Sequence, residues 1–282
     1  MNESSTEKEN SMRDSKPEIL IGSSVLQKPP ILEAFLNSLN GLDTEGLHVE
    51  YMFVDDNKDA ASSKMLSEFK KNESTVRIIT GEDRGNYVCD EVTHYWNNSL
   101  MDRVGRLKNR IIEYAVEREF NYLFFVDSDL VLNKRLLKHL TEVEKDIVSE
   151  IFWTKWMPGS EPEPNLWLYD QYNLSRQEVD ERLSPEEALK RKSEFLAELR
   201  IPGLYRVGGL GACTLISKKA LAAGVDFSRI ENLRSLWGED RFFCIRAVVL
   251  GFELYADTCY PAYHIYREAD LAGVEDYAKA NA

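Results

Sequence analysis

Residues 121–137, "NYLFFVDSDLVLNKRLL", place four consecutive apolar residues, Leu123 to Val126, directly before the two acids Asp127 and Asp129. The apolar run predicts a buried strand that ends where the acids begin. An ionised carboxylate at the end of a buried strand is costly unless it is paired, and two neighbouring carboxylates also repel each other. The stretch therefore indicates that the two negative charges at the edge of the core have a functional role.

Strands and helices alternate along the chain before this stretch. Short apolar segments predict strands, and segments with apolar residues at helical spacing predict helices. The predicted strands are "EILIGSS" (18–24), "VEYMFVDDN" (49–57) and "VRIIT" (76–80), and the predicted helices are "PPILEAFLNSL" (29–39), "AASSKMLSEFKK" (60–71) and "MDRVGRLKNRIIEYAVEREF" (101–120). The alternation predicts an α/β, Rossmann-like fold with a mostly parallel central sheet and helices on both faces.

The second half of the chain is less regular. It predicts strands at 146–153, 211–217 and 252–266, and helices at 184–200 and 239–251. Residues 1–16 are charged and without periodicity, which predicts a disordered tail. We expect a single domain over 17–267 and a C-terminal tail over 268–282, because no linker or internal repeat interrupts the pattern.

Composition narrows the choice of partners. The 282 residues include 35 basic and 48 acidic side chains, a formal net charge of −13, which argues against nucleic acid as a partner. The four cysteines, Cys89, Cys213, Cys244 and Cys259, show neither a disulfide framework nor zinc spacing. No apolar run approaches transmembrane length and no signal-peptide core is present, so we expect a cytoplasmic protein with reduced thiols.

Polar residues follow the apolar parts of successive predicted strands. Ser23 and Ser24 follow the first strand, Asp55 and Asp56 the second, and the DSD sequence at 127–129 the fourth. Ligands of open α/β sheets bind at the carboxyl ends of the strands, so these groups are expected along one edge. Alternate positions of an extended strand point the same way, which would aim both acids of the DSD sequence at one cation, Mg²⁺ or Mn²⁺. A strand-end turn with one capping Asp is the alternative interpretation.

Several further residues have both a structural and a functional interpretation. Asp55 or Asp56 either caps the helix that begins near Ala60 or accepts hydrogen bonds from a base or ribose. Glu239 and Asp240 either stabilise a helix start or supply a general base. The remaining candidates are Arg103, Arg106 and Arg110 on one helix, the glycines of "RVGGLGAC" (206–213), His264, and the aromatic side chains Trp153, Trp156, Trp167, Tyr169 and Tyr172.

These motifs occur together in an order that resembles a known family. The series "ILIGSS…VEYMFVDD…RLKN…FFVDSD…GGLGACTLIS…WGEDRFF…H" is similar to GT-A fold glycosyltransferases, most of all the inverting family 2-like enzymes, with some likeness to Anp1-type mannosyltransferases. The resemblance covers about residues 17–267. The sequence departs from the usual family 2 pattern at "VDDN" and "RLKN".

The resemblance implies a metal-dependent transfer of a sugar from a nucleotide-diphosphate sugar, expected to be a UDP-sugar, to a hydroxyl acceptor with inversion. It implies that Asp127, Asp129 and His264 bind Mn²⁺ or Mg²⁺, and that Asp240 is the catalytic base with Glu239 beside it. Donor-binding positions are expected at Ser23, Asp55, Asp56, Arg106, Asp127, Ser128 and Gly209. We expect acceptor contacts within residues 153–200 and from Trp153, Trp156 and Trp237.

Three other functions remain as alternatives. A retaining glycosyltransferase would use the same residue types. A sugar-nucleotide nucleotidyltransferase shares the fold class, but its glycine-rich basic loop after the first strand is missing from "IGSSVLQKPP". A non-catalytic sugar- or metal-binding module would leave the Glu239–Asp240 pair unexplained.

Overall fold

The computed structural model describes residues 16–81, 95–169, 171–235 and 237–281. The predicted N-terminal tail, apart from its last residue, and Cys89 lie outside the described residues. The elements of the first half are β1 (Glu18–Val25), α1 (Pro29–Gly41), β2 (His48–Asp55), α2 (Ala60–Glu68), β3 (Val76–Thr80), α3 (Asn98–Glu117), β4 (Tyr122–Phe125), β5 (Leu130–Val131) and α4 (Leu136–Glu142). All the strands and helices predicted for this half are present.

The second half contains short strands that the sequence does not predict. Its elements are β6 (Ile147–Thr154), β7 (Glu163–Pro164), β8 (Leu166–Trp167), α5 (Pro185–Glu198), β9 (Leu204–Val207), β10 (Gly209–Leu210), β11 (Thr214–Ser217), α6 (Lys218–Ala222), α7 (Asp240–Val249), β12 (Leu254–His264), a 3-10 helix (Glu268–Gly273) and α8 (Val274–Ala280). The last two elements show that the predicted C-terminal tail has regular structure.

One sheet in the order β3-β2-β1-β4-β11-β6-β12-β5 forms the centre of the described structure. β1 pairs in parallel with both β2 and β4, and β12 pairs in parallel with β6. β11 is antiparallel to both of its neighbours, so the sheet is mixed although mostly parallel in its first half. Because β1 lies between β2 and β4, the chain leaves β1 toward both sides, and this switch point opens a crevice at the strand ends.

Helices cover the sheet through apolar stripes that repeat at helical spacing. α1 begins with proline and buries Ile31, Leu32, Phe35, Leu36 and Leu39. α3 begins at Asn97, whose side chain accepts a hydrogen bond of 3.0 Å from the Leu100 amide. Since α3 lies beside β1 and buried residues of α1 share a hydrophobic cluster with Ile19 and Ile21 of β1, the two helices support the sheet edge that carries the crevice. No helix in the described ranges is long and apolar enough to cross a membrane.

The DSD sequence is not part of an extended strand, contrary to the geometric argument from the sequence. β4 ends at Phe125, and residues 127–129 form a turn that leads into β5. The Leu130 amide donates to the Asp127 carbonyl at 3.2 Å, which closes the turn. The acids therefore converge through turn geometry and through the pairing of β5, rather than through strand alternation.

We expect Gly105→Ala to destabilise the protein. A Cβ at this position of α3 would lie 2.7 Å from the carbonyl oxygen of Phe227, and backbone cannot rotate away. Overpacking of this kind typically costs about 1–3 kcal/mol. Gly41→Ala, where nothing lies within 4 Å of the new Cβ, is the matched control, and urea unfolding compares the two. Equal stability of the two variants would contradict the close approach.

Candidate active site

A cleft of about 420 Å³ opens at the carboxyl ends of β1, β2 and β4. Its polar lining comes from six separate parts of the chain. These polar residues are Ser24, Gln27, Lys28, Asp56, Lys58, Asp59, Lys108, Asp127, Ser128, Asp129, Glu239, Asp240, Arg267 and Glu268. The cleft therefore brings together the DSD turn, the end of β2, the inner face of α3 and the start of α7.

His264 reaches the DSD turn because the last strand returns beside it. β12 pairs with β5 so that His264 lies opposite Leu130, and the Ile265 amide donates to the Asp129 carbonyl at 2.9 Å. His264 Nε2 lies 3.5 Å from Asp129 Oδ2. On its other side, His264 Nδ1 hydrogen-bonds with Thr154 Oγ1 at 2.7 Å. One ring nitrogen is thus held by Thr154, which orients the other toward the turn.

Lys108, on the buried face of α3, lies among three acids of the cleft. Its Nζ is 2.5 Å from Glu239 Oε1, 3.1 Å from Asp240 Oδ1 and 3.8 Å from Asp127 Oδ1. The lysine side chain is 5 % exposed, so the ammonium is almost fully removed from water. It therefore joins the end of β4 to the start of α7.

Burial and the neighbouring charges shift the pKa values of Lys108 and of the acids around it. Burial raises the pKa values of Glu239 and Asp240, while Lys108 opposes the shift. Burial also raises the pKa of Asp127, and Asp129 adds to that shift by repulsion. Burial alone would lower the pKa of Lys108, but the carboxylates around it outweigh burial and hold that pKa well above its ordinary value. Lys108 is therefore charged at neutral pH, and Asp240 is more basic than an exposed aspartate.

Glu239 and Asp240 differ in how far their side chains are exposed to the cleft. Glu239 is the N-cap position of α7, and its side chain is 3 % exposed. Asp240 is the first residue of α7, and its side chain is 26 % exposed. Both acids lie at the helix start that the sequence predicts. Asp240 is the more accessible to a bound molecule.

The VDDN sequence does not cap α2. Asp59 does so, because its Oδ1 accepts a hydrogen bond of 2.7 Å from the Ala61 amide. Asp55 instead accepts from both nitrogens of Asn57. Asp56 lines the cleft and pairs with the buried Arg103 at 2.5 Å. The capping interpretation of Asp55 and Asp56 was wrong, since the cap is one turn nearer the helix.

Four of the expected donor-binding residues lie outside the cleft lining. Ser23 is fully buried in β1, and Asp55 is half-buried and directed toward Asn57. Arg106 is exposed on α3. Gly209 lies against the Trp167 ring, where a Cβ would overlap the indole. Asp56, Ser128 and the two acids of the DSD turn do line the cleft.

The expected aromatic residues separate into buried and exposed groups. Trp167 is a core residue, 6 % exposed and packed against Tyr172, which agrees with the structural interpretation of these aromatic side chains. Trp153 is half-buried beneath the Arg200 guanidinium. Trp156 packs against Tyr266 of the cleft and remains 38 % exposed, whereas Trp237 is 60 % exposed. Only these last two expected tryptophans present a large free surface among the described residues.

Lys108 and Trp96 are among the cleft residues that the sequence did not single out. Lys108 is part of "RLKN", and its signal is a lysine in line with the apolar positions Leu107 and Ile111 on the buried face of α3. Trp96 lies in the cleft wall and faces Gly238, just before α7. It precedes α3 in a polar segment and has no periodic signal, so only the structure identifies it.

Solved structures of glycosyltransferases share this fold. Residues 1–349 of S. aureus TarS match with a TM-score of 0.53 and 17% identity, covering 91% of this chain and 63% of that one. GalNAc-T7, solved with UDP, GalNAc and Mn²⁺, matches with a TM-score of 0.55 and 15% identity. The match covers 93% of this chain and 48% of GalNAc-T7. The mannosyltransferase PcManGT of Pyrobaculum calidifontis, solved with GDP-Man and Mn²⁺, matches with a TM-score of 0.52 and 10% identity. The match covers 95% of this chain and 62% of PcManGT.

These matches confirm the GT-A fold expected from the sequence. The chain spans less than two thirds of the length of each of these solved chains. No curated protein matches the sequence. A family model does match, and it covers residues 16–157, from the start of β1 to just beyond β6. Because that match covers just over half of the sequence, the chain belongs to the glycosyltransferases whose family is described as glycosyltransferase family 25, N-terminal domain.

Proposed function

We propose that the protein transfers a sugar from a UDP-sugar to a hydroxyl acceptor, with inversion and with a divalent metal. The observation that carries this proposal is the convergence of Asp127, Asp129 and Asp240 on one cleft, with His264 beside Asp129. Asp127, Asp129 and His264 supply oxygen and nitrogen ligands at one end of the cluster. Asp240 supplies an accessible carboxylate at the other, with Lys108 between them.

The DSD turn and His264 fit a divalent cation. Asp129 Oδ2 and His264 Nε2 already face each other at 3.5 Å, and Thr154 fixes the ring from behind. Carboxylates suit Mg²⁺ and Mn²⁺, and imidazole favours Mn²⁺ over Mg²⁺. When bound, the cation would stabilise the negative charge of the leaving diphosphate as a Lewis acid. Mn²⁺ in the structures of GalNAc-T7 and PcManGT supports this choice.

The nucleotide would lie toward β1 and β2. Asp56 lies in this part of the cleft, and Arg103 holds the Asp56 carboxylate in place. A fixed carboxylate acceptor suits a base or ribose that presents an N–H or O–H group. TarS has been solved with UDP-GlcNAc and GalNAc-T7 with UDP, which supports UDP as the nucleotide.

Asp240 is positioned to accept the acceptor's proton. Inversion requires one base on the sugar face opposite the leaving group, and the position of Asp240 across Lys108 from Asp127 supports that arrangement. Burial raises the pKa of Asp240, which makes it a better base, and nearby Lys108 opposes that rise. The hydroxyl proton would pass to the Asp240 carboxylate as the oxygen attacks the anomeric carbon and the bond to the diphosphate breaks.

A donor screen tests the proposal as a whole. UDP- and GDP-sugars are incubated with the protein and Mn²⁺, and release of free nucleotide is measured. We expect release from at least one UDP-sugar, its loss in EDTA, and a product whose anomeric configuration is inverted by NMR. Retention of configuration would favour the retaining alternative, and no release from any donor would overturn the proposal.

Mn²⁺ should bind more tightly in the presence of UDP than alone. The turn and His264 supply three side chains, and the diphosphate would complete the coordination shell. We expect Asp129→Asn to weaken Mn²⁺-dependent UDP binding at least about tenfold, equivalent to about 1.4 kcal/mol. Calorimetric titration measures it, with Asp276→Asn on the exposed side of α8 as the control. Equal Mn²⁺ affinity with and without UDP would argue against a shared site.

Asp240→Asn should abolish most transfer. Loss of a general base typically costs about 10²–10⁴-fold in rate, whereas UDP binding should stay near normal because the substitution preserves shape. Glu239→Gln should reduce transfer less and lower the unfolding temperature more, since Glu239 is buried against Lys108. Kinetics and thermal unfolding of both variants make the comparison. Near-normal transfer by Asp240→Asn with an inactive Glu239→Gln would reverse the two roles.

Trp156→Ala and Trp237→Ala should weaken acceptor binding. Both rings have exposed surface on which a sugar or aglycone can stack, so we expect a several-fold higher acceptor KM with little change in donor hydrolysis. Trp167→Ala is the matched control, because loss of this buried ring should lower stability instead. Unchanged acceptor kinetics in both exposed variants would place the acceptor elsewhere.

A further inference from the structure

A second group of metal-ligating side chains lies apart from the cleft lining. It consists of His139 on α4, Asp257 and Cys259 on β12, and the neighbouring Glu150 on β6. One imidazole nitrogen, one carboxylate oxygen and the sulfur of His139, Asp257 and Cys259 all lie within 4.8 Å of one another. The sequence shows no zinc spacing here, because His139 lies far from Asp257 and Cys259 along the chain.

We propose that His139, Asp257 and Cys259, assisted by Glu150, form a structural site for a borderline-soft divalent transition metal, with Zn²⁺ as the best match. Imidazole nitrogen, carboxylate oxygen and thiolate sulfur are the ligand types that Zn²⁺ takes in proteins. A fourth position could be filled by Glu150 or by water. The presence of a thiol distinguishes this site from the oxygen-rich DSD turn, which suits Mn²⁺ or Mg²⁺.

Two buried polar atoms at this group have no hydrogen-bond partner among the described residues. They are Glu150 Oε2 and His139 Nε2. The His139 nitrogen lies 3.0 Å from Asp257 Oδ2, but the contact lacks hydrogen-bond geometry. Glu150 is fully buried, so an unpartnered oxygen there is costly. A cation at His139 would satisfy the nitrogen, and it would lie beside Asp257, the register partner of Glu150.

The remaining atoms of the ligands are already oriented. Glu150 Oε1 accepts a hydrogen bond of 3.1 Å from the Tyr260 amide, and Asp257 Oδ1 accepts one of 2.8 Å from the Cys259 amide. The Tyr260 ring packs edge-on against His139 at 5.0 Å. Such contacts around the ligands are what hold a metal site in shape.

The proposed metal ligands lie where the pairing of two strands is irregular, so a metal there would stabilise the sheet. The pairing of β12 with β6 loses its register between Asp257 and Ala262, so the strand bulges where the ligands lie. Tetrahedral Zn²⁺ places its ligand atoms about 3.3–3.7 Å apart, so the widest pair would close by roughly 1 Å. Binding would release the thiol proton of Cys259 to solvent and leave a thiolate on the metal. A proton held between the Glu150 and Asp257 carboxyls is the competing explanation for the buried acids.

Co²⁺ substitution tests the site without any activity assay. After removal of metal with a chelator, the full chain is titrated with Co²⁺, and a thiolate-to-cobalt charge-transfer band should appear with one equivalent. Cys259→Ser should abolish the band, and His139→Gln should weaken Co²⁺ binding at least about tenfold. Asp129→Asn, which alters the DSD turn, should leave the band unchanged. Absence of the band in the unaltered protein, or its persistence in Cys259→Ser, would overturn the proposal.

A stability measurement adds a second readout. Zn²⁺ binds only the folded site, so it should raise the unfolding temperature of the unaltered protein and of Asp129→Asn. The increase should be lost in Cys259→Ser, a near-isosteric change that need not disturb the fold. If Zn²⁺ raises the unfolding temperature of Cys259→Ser equally, the metal binds elsewhere and the proposal is wrong.

Discussion

The buried ammonium of Lys108 is the contact on which the cleft depends. It joins α3 to the start of α7 and to the end of β4 through three carboxylates. Leaving a buried cation without its partners typically lowers the free energy of unfolding by about 3–5 kcal/mol. The three elements are therefore held in one arrangement. One ammonium cannot neutralise three acids and the adjacent Asp129, however. The excess negative charge that remains is the feature that would attract the proposed divalent cation.

The topology explains why these residues meet. β1 lies between two parallel neighbours, so the ends of β1 and β4 form a crevice. β12 lies between β6 and the short strand β5 in the second half of the sheet, and β5 begins directly after the DSD turn. The short pairing of β12 with β5 brings His264 to Asp129, although the residues are far apart in the chain. A site that combines the DSD turn with His264 therefore requires β12 to be in place beside β5.

The sequence predicted what depends on local pattern. Strand and helix periodicity gave the α/β fold, and the acids after Val126 indicated the edge of the sheet where the cleft lies. It could not predict contacts such as Arg103 with Asp56 or Lys108 with Asp240, because these pairs are 47 and 132 residues apart and neither residue of a pair signals the other. The assignment of Ser23 and Gly209 to donor binding rested on motif position alone. Burial within the sheet keeps Ser23 from the cleft, and the Trp167 ring covers Gly209.

β12 connects the cleft to the group around His139. It carries Asp257 and Cys259 in its irregular middle part and His264 at its end. His264 lies five residues beyond Cys259, on the order of 16 Å along an extended strand. The pairing with β6 is interrupted between Asp257 and Ala262 and resumes at Ala262, so the strand needs other contacts only within this interval. A metal at Cys259 would supply such a contact, so the positions of His264 and of the bulge would be determined together.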